Sequence, residues 1–374
     1  MNKIKIIEFI TTLSMGGAEQ LVKEYSLLLN KEKFDVIVLA IWRRENSQNE
    51  KQLLDAGIRI VYISDYLPKG NDLFSRIRRK QKRKQFVFNF MKKEKPNIIH
   101  GHLAVLEYIK GLPLKKWKIK VVYTCHNVLS DTFNKTEYVK YAKKLIQKAD
   151  MKMIALHPDM ASEINELFGI DDCFVVNNGI DFREFKPDPL ARNVTRKMLG
   201  ISDNDYVIGH VGRFTEQKNQ KFLVNLFENI VKEKENAHLL MIGDGADRKE
   251  IEAYIKEHGL EKYVTILSNR ADVANLMNAM DMFVFPSVFE GFGIVLVEAQ
   301  AVGLKCVVST AISKYACLTP QVNILSLEDS IEKWKNRVLK LEWEKTDFCG
   351  IEEFDIRKVV LKLEDIYFDL LKNK

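Results

Sequence analysis

Short runs rich in Ile and Val alternate with amphipathic stretches along this chain, in two successive sets. The first comprises "KIKIIEFI", "FDVIVLAI", "IRIVYI", "NIIHGH", "IKVVYTCH" and "MKMIALH", and the second runs from "DYVIGHVG" through "AHLLMIG", "YVTILS" and "MFVFPS" to "KCVVST". Apolar runs this short and this continuous read as strands covered on both faces, the situation of parallel sheets built from βαβ units. The pattern predicts an α/β chain of two Rossmann-like, doubly wound domains with a cleft between them. Length agrees, because 374 residues exceed one ordinary core at ~100 to 200 residues per domain.

Between the sets, "NNGIDFREFKPDPLARN" replaces periodicity with Asn, Gly, Asp and Pro and reads as a linker, with the boundary near Pro187. The expected domains are residues 1–186 and 187–352. The closing stretch 353–374 reads as an amphipathic helix, apolar at Ile356, Val359, Val360, Leu363, Ile366, Tyr367 and Leu370. No strand follows it, so it must pack on something already built.

The five cysteines are scattered and never form a C-x-x-C pair, which suggests neither a disulfide framework nor a zinc site. The first residues, "MNKIKIIEFI", hold too short an apolar run for a signal peptide, and no stretch reaches the ~18 apolar residues of a membrane span. A cytoplasmic location is expected. Lys and Arg crowd into "FSRIRRKQKRKQFVFNFMKKEK", residues 74–95, beside an imperfect apolar side of Phe74, Ile77, Phe86, Phe88, Phe90 and Met91. Such a segment suits either an anionic membrane surface or a solvated helix face. A nucleic-acid partner is not expected, since no nucleic-acid module and no spread of stacking aromatics accompanies the charge.

In open parallel sheets, ligands bind beyond the carboxyl ends of the strands. After the first strand, Gly16 and Gly17 open a helix, which serves either an anion at the helix amino terminus or simply a tight turn. Neither "TTLSMGGAEQLVKEY" nor "IGDGADRKE" has the glycine spacing of a dinucleotide fold, and no phosphate loop of the G-x-x-x-x-G-K-[ST] type occurs. In the second set, "IGHVGRFTEQKNQKFLVNLF" ends a strand at Gly212 and places Arg213 and Lys218 before a helix. A planar fork and a compact charge there form either a diphosphate clamp or a pair of surface cations.

"FPSVFEGFGIVLVEAQAVG" carries Glu290 in a glycine-flanked exit loop, a helix beginning at Gly293 or Ile294, and Glu298 about one and a half turns along it. Carboxylates beside exposed amides suit a polyhydroxylated ligand, accepting from its hydroxyls while the amides donate. His100, His102 and His126 each end a strand of the first set, and His126 could donate to a phosphate or a sugar hydroxyl. Asp203-Asn204-Asp205 matches a metal-binding D-x-D pattern but precedes its strand, so it reads as turn chemistry, and no metal is assigned.

Taken together, "GGAE" (16–19), "NNGID" (177–181), "VGRFTEQKN" (211–219), "IGDG" (242–245) and "FEGFGIVLVEAQAVG" (289–303) resemble glycosyltransferase family 4 over almost the whole chain, in a form similar to bacterial capsular and exopolysaccharide transferases. The resemblance implies the GT-B architecture, with the last helix crossing back onto the first domain. It implies a retaining, metal-independent transfer from a nucleotide-sugar donor to an acceptor held by the first domain, with no cofactor. Carried onto this sequence, it gives Arg213 and Lys218 the donor diphosphate and Glu298 the ribose. Glu290 and the amides of Phe292, Gly293 and Ile294 receive the transferred sugar and phosphate. Gly16 and Gly17 close over phosphates or acceptor, His126 touches the sugar, Gly212 lies at the donor, and the backbone at Asn269 and Arg270 faces the base.

One departure is visible: Tyr315 stands about where related chains carry a glutamate. The expected function is transfer from a UDP- or GDP-sugar, UDP foremost, to a lipid-linked glycan at the inner face of the cell membrane. A nucleotide-sugar epimerase or phosphorylase of the same architecture, or a catalytically silent nucleotide-sugar-binding partner, is the alternative.

Overall fold

The computed structural model describes residues 3–14, 16–44, 47–67, 73–340 and 351–372. It divides into two compact units: residues 1–179 with 356–374, and residues 180–355. In the first, strands β1 (Ile4–Ile10), β2 (Phe34–Ala40), β3 (Arg59–Tyr62), β4 (Ile98–His102), β5 (Lys120–Thr124), β6 (Lys152–Ala155) and β7 (Phe174–Val175) form one sheet in the order β3-β2-β1-β4-β5-β6-β7. In the second, β8 (Tyr206–Val211), β9 (Ala237–Ile242), β10 (Val264–Leu267), β11 (Met282–Phe285), β12 (Lys305–Ser309) and β13 (Val322–Leu325) follow the order β10-β9-β8-β11-β12-β13. Every pairing within the two sheets is parallel. Each unit is therefore Rossmann-like, and its strand order reverses once, between β1 and β4 in the first and between β8 and β11 in the second.

Helices on both faces account for the unbroken apolar runs. Ile6, Ile7, Phe9 and Ile10 of β1 are fully buried, as are Phe283, Val284 and Phe285 of β11. Glu8, in the middle of β1, is equally buried. A carboxylate there is costly unless paired, and its partners lead to the site described below.

The unit boundaries fall at 179/180 and 355/356, not at 186/187 and 352/353. The segment read as a linker is held by the second unit: Asn278 Nδ2 donates to the Lys186 carbonyl at 3.1 Å, and the Asp188 amide donates to Asn278 Oδ1 at 2.8 Å. Asp188 then caps the helix Pro189–Leu199 by accepting from the Ala191 amide at 2.9 Å. Pro and Asp here are helix-start chemistry, which in sequence looks the same as a hinge.

The helix Ile356–Lys372 belongs to the first unit, and all seven apolar positions of its inner face are buried, in one cluster with Leu21, Tyr25, Ile98 and Val122. Glycine is required at 179, since a Cβ there would lie 2.6 Å from the Ile356 Cα. The basic segment forms the helix Leu73–Glu94. Its apolar side turns inward: Val87, Phe90 and Met91 are buried, Phe86 packs on Tyr66, and Phe88 packs on Trp117. The side chains of Phe74 and Ile77, and Cys349, lie outside the described residues. The other four cysteines are free. Among the described residues no helix is long and apolar enough to cross a membrane.

Candidate active site

In the second unit the loops leaving β8 and β11 flank the switch in strand order, and backbone-directed bonds tie them together. The Val288 amide donates to the Gln217 carbonyl at 2.8 Å, Gln217 Nε2 to the Phe289 carbonyl at 2.9 Å, and Asn219 Nδ2 to the Pro286 carbonyl at 3.2 Å. Asn219 can make its bond while starting a helix because it adopts the left-handed conformation, with φ of 55°. These ties bring Lys218 and Glu290, far apart in sequence, into an ion pair, with the ammonium 4.6 Å from the Phe285 ring centre. Both side chains are largely withdrawn from water, 15% and 8% exposed, so the pair is a fixed feature rather than a loose surface contact.

Beyond Glu290 the chain turns at Gly293, whose φ of +86° favours glycine, into the helix Ile294–Ala301. Phe292 is anchored by stacking on Phe354, ring centres 5.7 Å apart, which fixes the backbone entering that helix. Glu298 is half-buried within it. Gly212 continues the strand pattern, its amide donating to the Ile242 carbonyl at 3.0 Å, and Arg213 beside it is exposed. The arrangement brings a held ammonium beside a helix amino terminus, which suits a diphosphate, and Arg213 is exposed in the same loop as Lys218.

Other sequence-derived candidates fare differently. Arg270 is committed to Asp272, with Nε to Oδ1 at 2.7 Å, and this raises the guanidinium pKa above its ordinary value. Asn269 beside it has φ of 51° in the loop after β10. Asp203 to Asp205 lie in a turn at the amino end of β8, where Asp205 Oδ2 accepts from the Ser202 amide at 2.8 Å. Tyr315 sits half-buried in the short turn Lys314–Ala316, its ring 5.0 Å from the Lys314 ammonium.

In the first unit, Gly16 and Gly17 begin the helix Gly17–Leu28, with Gly16 at φ −124°. Its lack of a side chain makes room for Glu19, whose Oε2 a Cβ would meet at 2.3 Å. Glu19 Oε1 accepts from the Thr12 and Ser14 hydroxyls, each at 3.0 Å. The helix start read as an anion seat thus has a carboxylate of its own beside it.

His126 follows β5 and lines a cavity of about 400 Å³ with Thr11, Asn127, Asp131 and Lys135. Its Nε2 lies 2.8 Å from His102 Nδ1, and His102 Nε2 lies 2.8 Å from Glu8 Oε2. His100 bridges Tyr367 and Thr124, each at 2.7 Å, and the Tyr367 hydroxyl donates to Glu8 Oε1 at 3.1 Å. Burial opposes the Glu8 charge, but the two histidines outweigh it and hold the carboxyl at about 2. Burial lowers His102 to about 4 and His126 well below the ordinary value.

Glu8, His100 and His102 offer ligand atoms within 4.8 Å of one another, a spacing that a metal ion could use. Each of their side-chain nitrogens and oxygens already faces a hydrogen-bond partner, as befits a closed polar network. Sequence reasoning missed Glu8, although a charged residue inside "KIIEFI" was a legible anomaly. It also missed His210, buried between strands with Nδ1 3.0 Å from the Val284 carbonyl and lowered by burial to about 4.

Known families match both units. Residues 15–184 match the model "Glycosyltransferase Family 4" and residues 191–342 the model "Glycosyl transferases group 1". The chain belongs to glycosyltransferase family 4. Among curated relatives, this glycosyltransferase is 26% identical to the UDP-Gal:alpha-D-GlcNAc-diphosphoundecaprenol alpha-1,3-galactosyltransferase of Escherichia coli, over 100% of this chain and 99% of that one. It is 23% identical to the capsular polysaccharide biosynthesis glycosyltransferase CapH of Staphylococcus aureus, over 97% and 98%. Among solved structures, Anabaena HepE in complex with UDP and glucose superposes with a TM-score of 0.78 at 20% identity, covering 98% of this chain and 100% of that one. The two parallel-sheet units are those of the GT-B fold.

Proposed function

We propose that this glycosyltransferase moves a sugar from a UDP-sugar to a lipid-linked glycan in the synthesis of a cell-surface polysaccharide, with retention of configuration and no bound metal. The observation that carries the reading is the Lys218–Glu290 pair, held beside the glycine turn and helix start at the switch point of the second unit. Two relatives support the chemistry by what they are: the E. coli enzyme acts on a diphosphoundecaprenol-linked sugar, and HepE was solved with UDP and glucose.

In this reading Arg213 and Lys218 bind the diphosphate, and the amides of Phe292, Gly293 and Ile294 add donors at the phosphate. Glu290 and Glu298 accept from hydroxyls of the sugar and the ribose. The bond between the anomeric carbon and the phosphate oxygen breaks, and the acceptor oxygen bonds to that carbon on the same face. The acceptor proton passes to the departing phosphate. Fixed cations and amides stabilise the charge that develops there, the role a metal ion takes in other enzymes.

A panel of nucleotide sugars, assayed for transfer and hydrolysis with a chelator present, tests this. Turnover of at least one UDP-sugar is expected, with no loss on chelation. Binding without turnover of any donor would instead favour a silent partner, and loss of turnover on chelation would contradict the metal-free mechanism.

We further propose that the exposed cationic side of the helix Leu73–Glu94 places the enzyme against anionic lipid. Because its described apolar residues pack inward, charge carries this contact. Replacing the exposed Arg78 and Lys82 by Gln should weaken binding to phosphatidylserine vesicles in co-sedimentation, by roughly 1 kcal/mol per charge. Unchanged sedimentation would reject the contact. Arg83 is left in place because it packs over Trp42 and reaches the Tyr108 hydroxyl.

A further inference from the structure

Gln300, near the carboxyl end of the helix Ile294–Ala301, is fully buried, and both ends of its amide are engaged. Its Nε2 donates to the carbonyls of Leu296 at 2.9 Å and Ala316 at 2.7 Å. Its Oε1 accepts from the amides of Leu318 at 2.7 Å and Thr319 at 2.9 Å, and from the Thr319 hydroxyl at 3.2 Å. All but the first of these bonds reach residues 316–319, beyond β12, so one side chain ties the helix to that segment. Two hydrogens and an acceptor on one planar group are what an amide offers and a carboxylate or thioether does not. The same stretch of chain also grips the loop that carries Glu290. The Ser309 hydroxyl, at the end of β12, donates to the Ser287 carbonyl at 2.6 Å, and both residues are buried. Ile312 lies within 3.7 Å of where a Cβ on Gly293 would stand. Residues 309–319 therefore brace the Glu290 loop, the glycine turn and the helix together.

We propose that Gln300 and Ser309 are positioning residues for sugar transfer. Through residues 309–319 they hold the Glu290 loop and the amino end of the helix Ile294–Ala301 in one fixed register, without touching the ligand. A shift of about 1 Å in groups facing a reacting centre costs on the order of 10²-fold in rate, so a buried amide away from the donor groups can govern turnover. What the helix end faces rests on the sugar-transfer reading; the brace itself does not.

The test compares Gln300→Met and Gln300→Glu with the wild type, at temperatures where circular dichroism shows each to be folded. Met keeps the length of the side chain and loses its bonds, and kcat/KM for transfer from a UDP-sugar should fall by roughly tenfold to a hundredfold. Glu fails in the same way while ionised, because it has no hydrogen for the Leu296 and Ala316 carbonyls. Burial raises the pKa of such a carboxyl, and its neutral form regains a donor, so the ratio of Gln300→Glu to wild-type activity should climb as pH falls from 8 to 6. A lowered melting temperature with kcat/KM within about twofold of wild type, or a ratio that stays flat with pH, would overturn the proposal. Should neither Gln300 variant fold, Ser309→Ala carries the test by removing a single side-chain hydrogen bond: a loss of several-fold is expected, and unchanged kcat/KM would refute the brace. Absence of transfer from every donor by the wild type would fail the proposed function instead. Amide hydrogen exchange would then still decide the brace, with faster exchange over residues 293–304 expected in Gln300→Met and in Ser309→Ala, and unchanged exchange there overturning it.

Discussion

Lys218→Ala is expected to lower kcat/KM for sugar transfer by about 10²- to 10³-fold, the usual loss when one fixed group facing developing charge is removed. The ammonium is held by the Glu290 carboxylate and the face of Phe285, so it stands ready without reorganising when a phosphate arrives. Glu290→Gln should cause a comparable loss, because it frees Lys218 and removes an acceptor for ligand hydroxyls. Each variant leaves a largely buried charge without its partner, so unfolding must be measured in parallel. A deep loss of rate with the fold retained supports the assignment. Activity within a few-fold of wild type in either variant would remove these residues from the site.

Acidification from pH 7 to pH 5 should weaken both units. His102 in the first unit and His210 in the second have folded values near 4, against an ordinary 6.5. Between those values the unfolded chain binds a proton at each ring and the folded chain does not. Stability therefore rises with pH through this window and is lost as pH falls through it. Each ring should withdraw about 2 kcal/mol over the two pH units, and His126 adds in the same direction. Glu8 stays charged in the folded chain, its carboxyl being held at about 2, and adds only a small loss in the same direction as the unfolded carboxyl begins to protonate near pH 5. Scanning calorimetry at pH 7 and pH 5 measures the effect; a stability that is flat or higher at pH 5 would contradict the buried neutral rings.

The fold was legible because strands covered on both faces must be apolar throughout, and such runs recur here in two sets separated by an aperiodic segment. Gly293 was legible for a similar reason: a turn into a helix at φ of +86° selects glycine locally. The clamp residues could be proposed from their place at strand ends. Their pairing could not, since Lys218 meets Glu290 through ties made by Gln217 and Asn219, whose contacts depend on tertiary geometry. The chain boundary was misplaced because Asp188 and its flanking prolines serve equally in a hinge and in a helix cap. The packing of Phe86 and Phe88 on Tyr66 and Trp117 could not be read from the basic segment, because no periodicity announces those partners. The Glu8–His102–His126 chain needed distances, because its members come from three different stretches of sequence.

The position of a UDP-sugar bound to crystals of the whole protein, grown with divalent ions chelated, tests the central claim most directly. The account predicts the diphosphate against Lys218 and Arg213, at the amino end of the helix Ile294–Ala301. A diphosphate seated away from these groups, or one seen only after a divalent cation is restored, would contradict it.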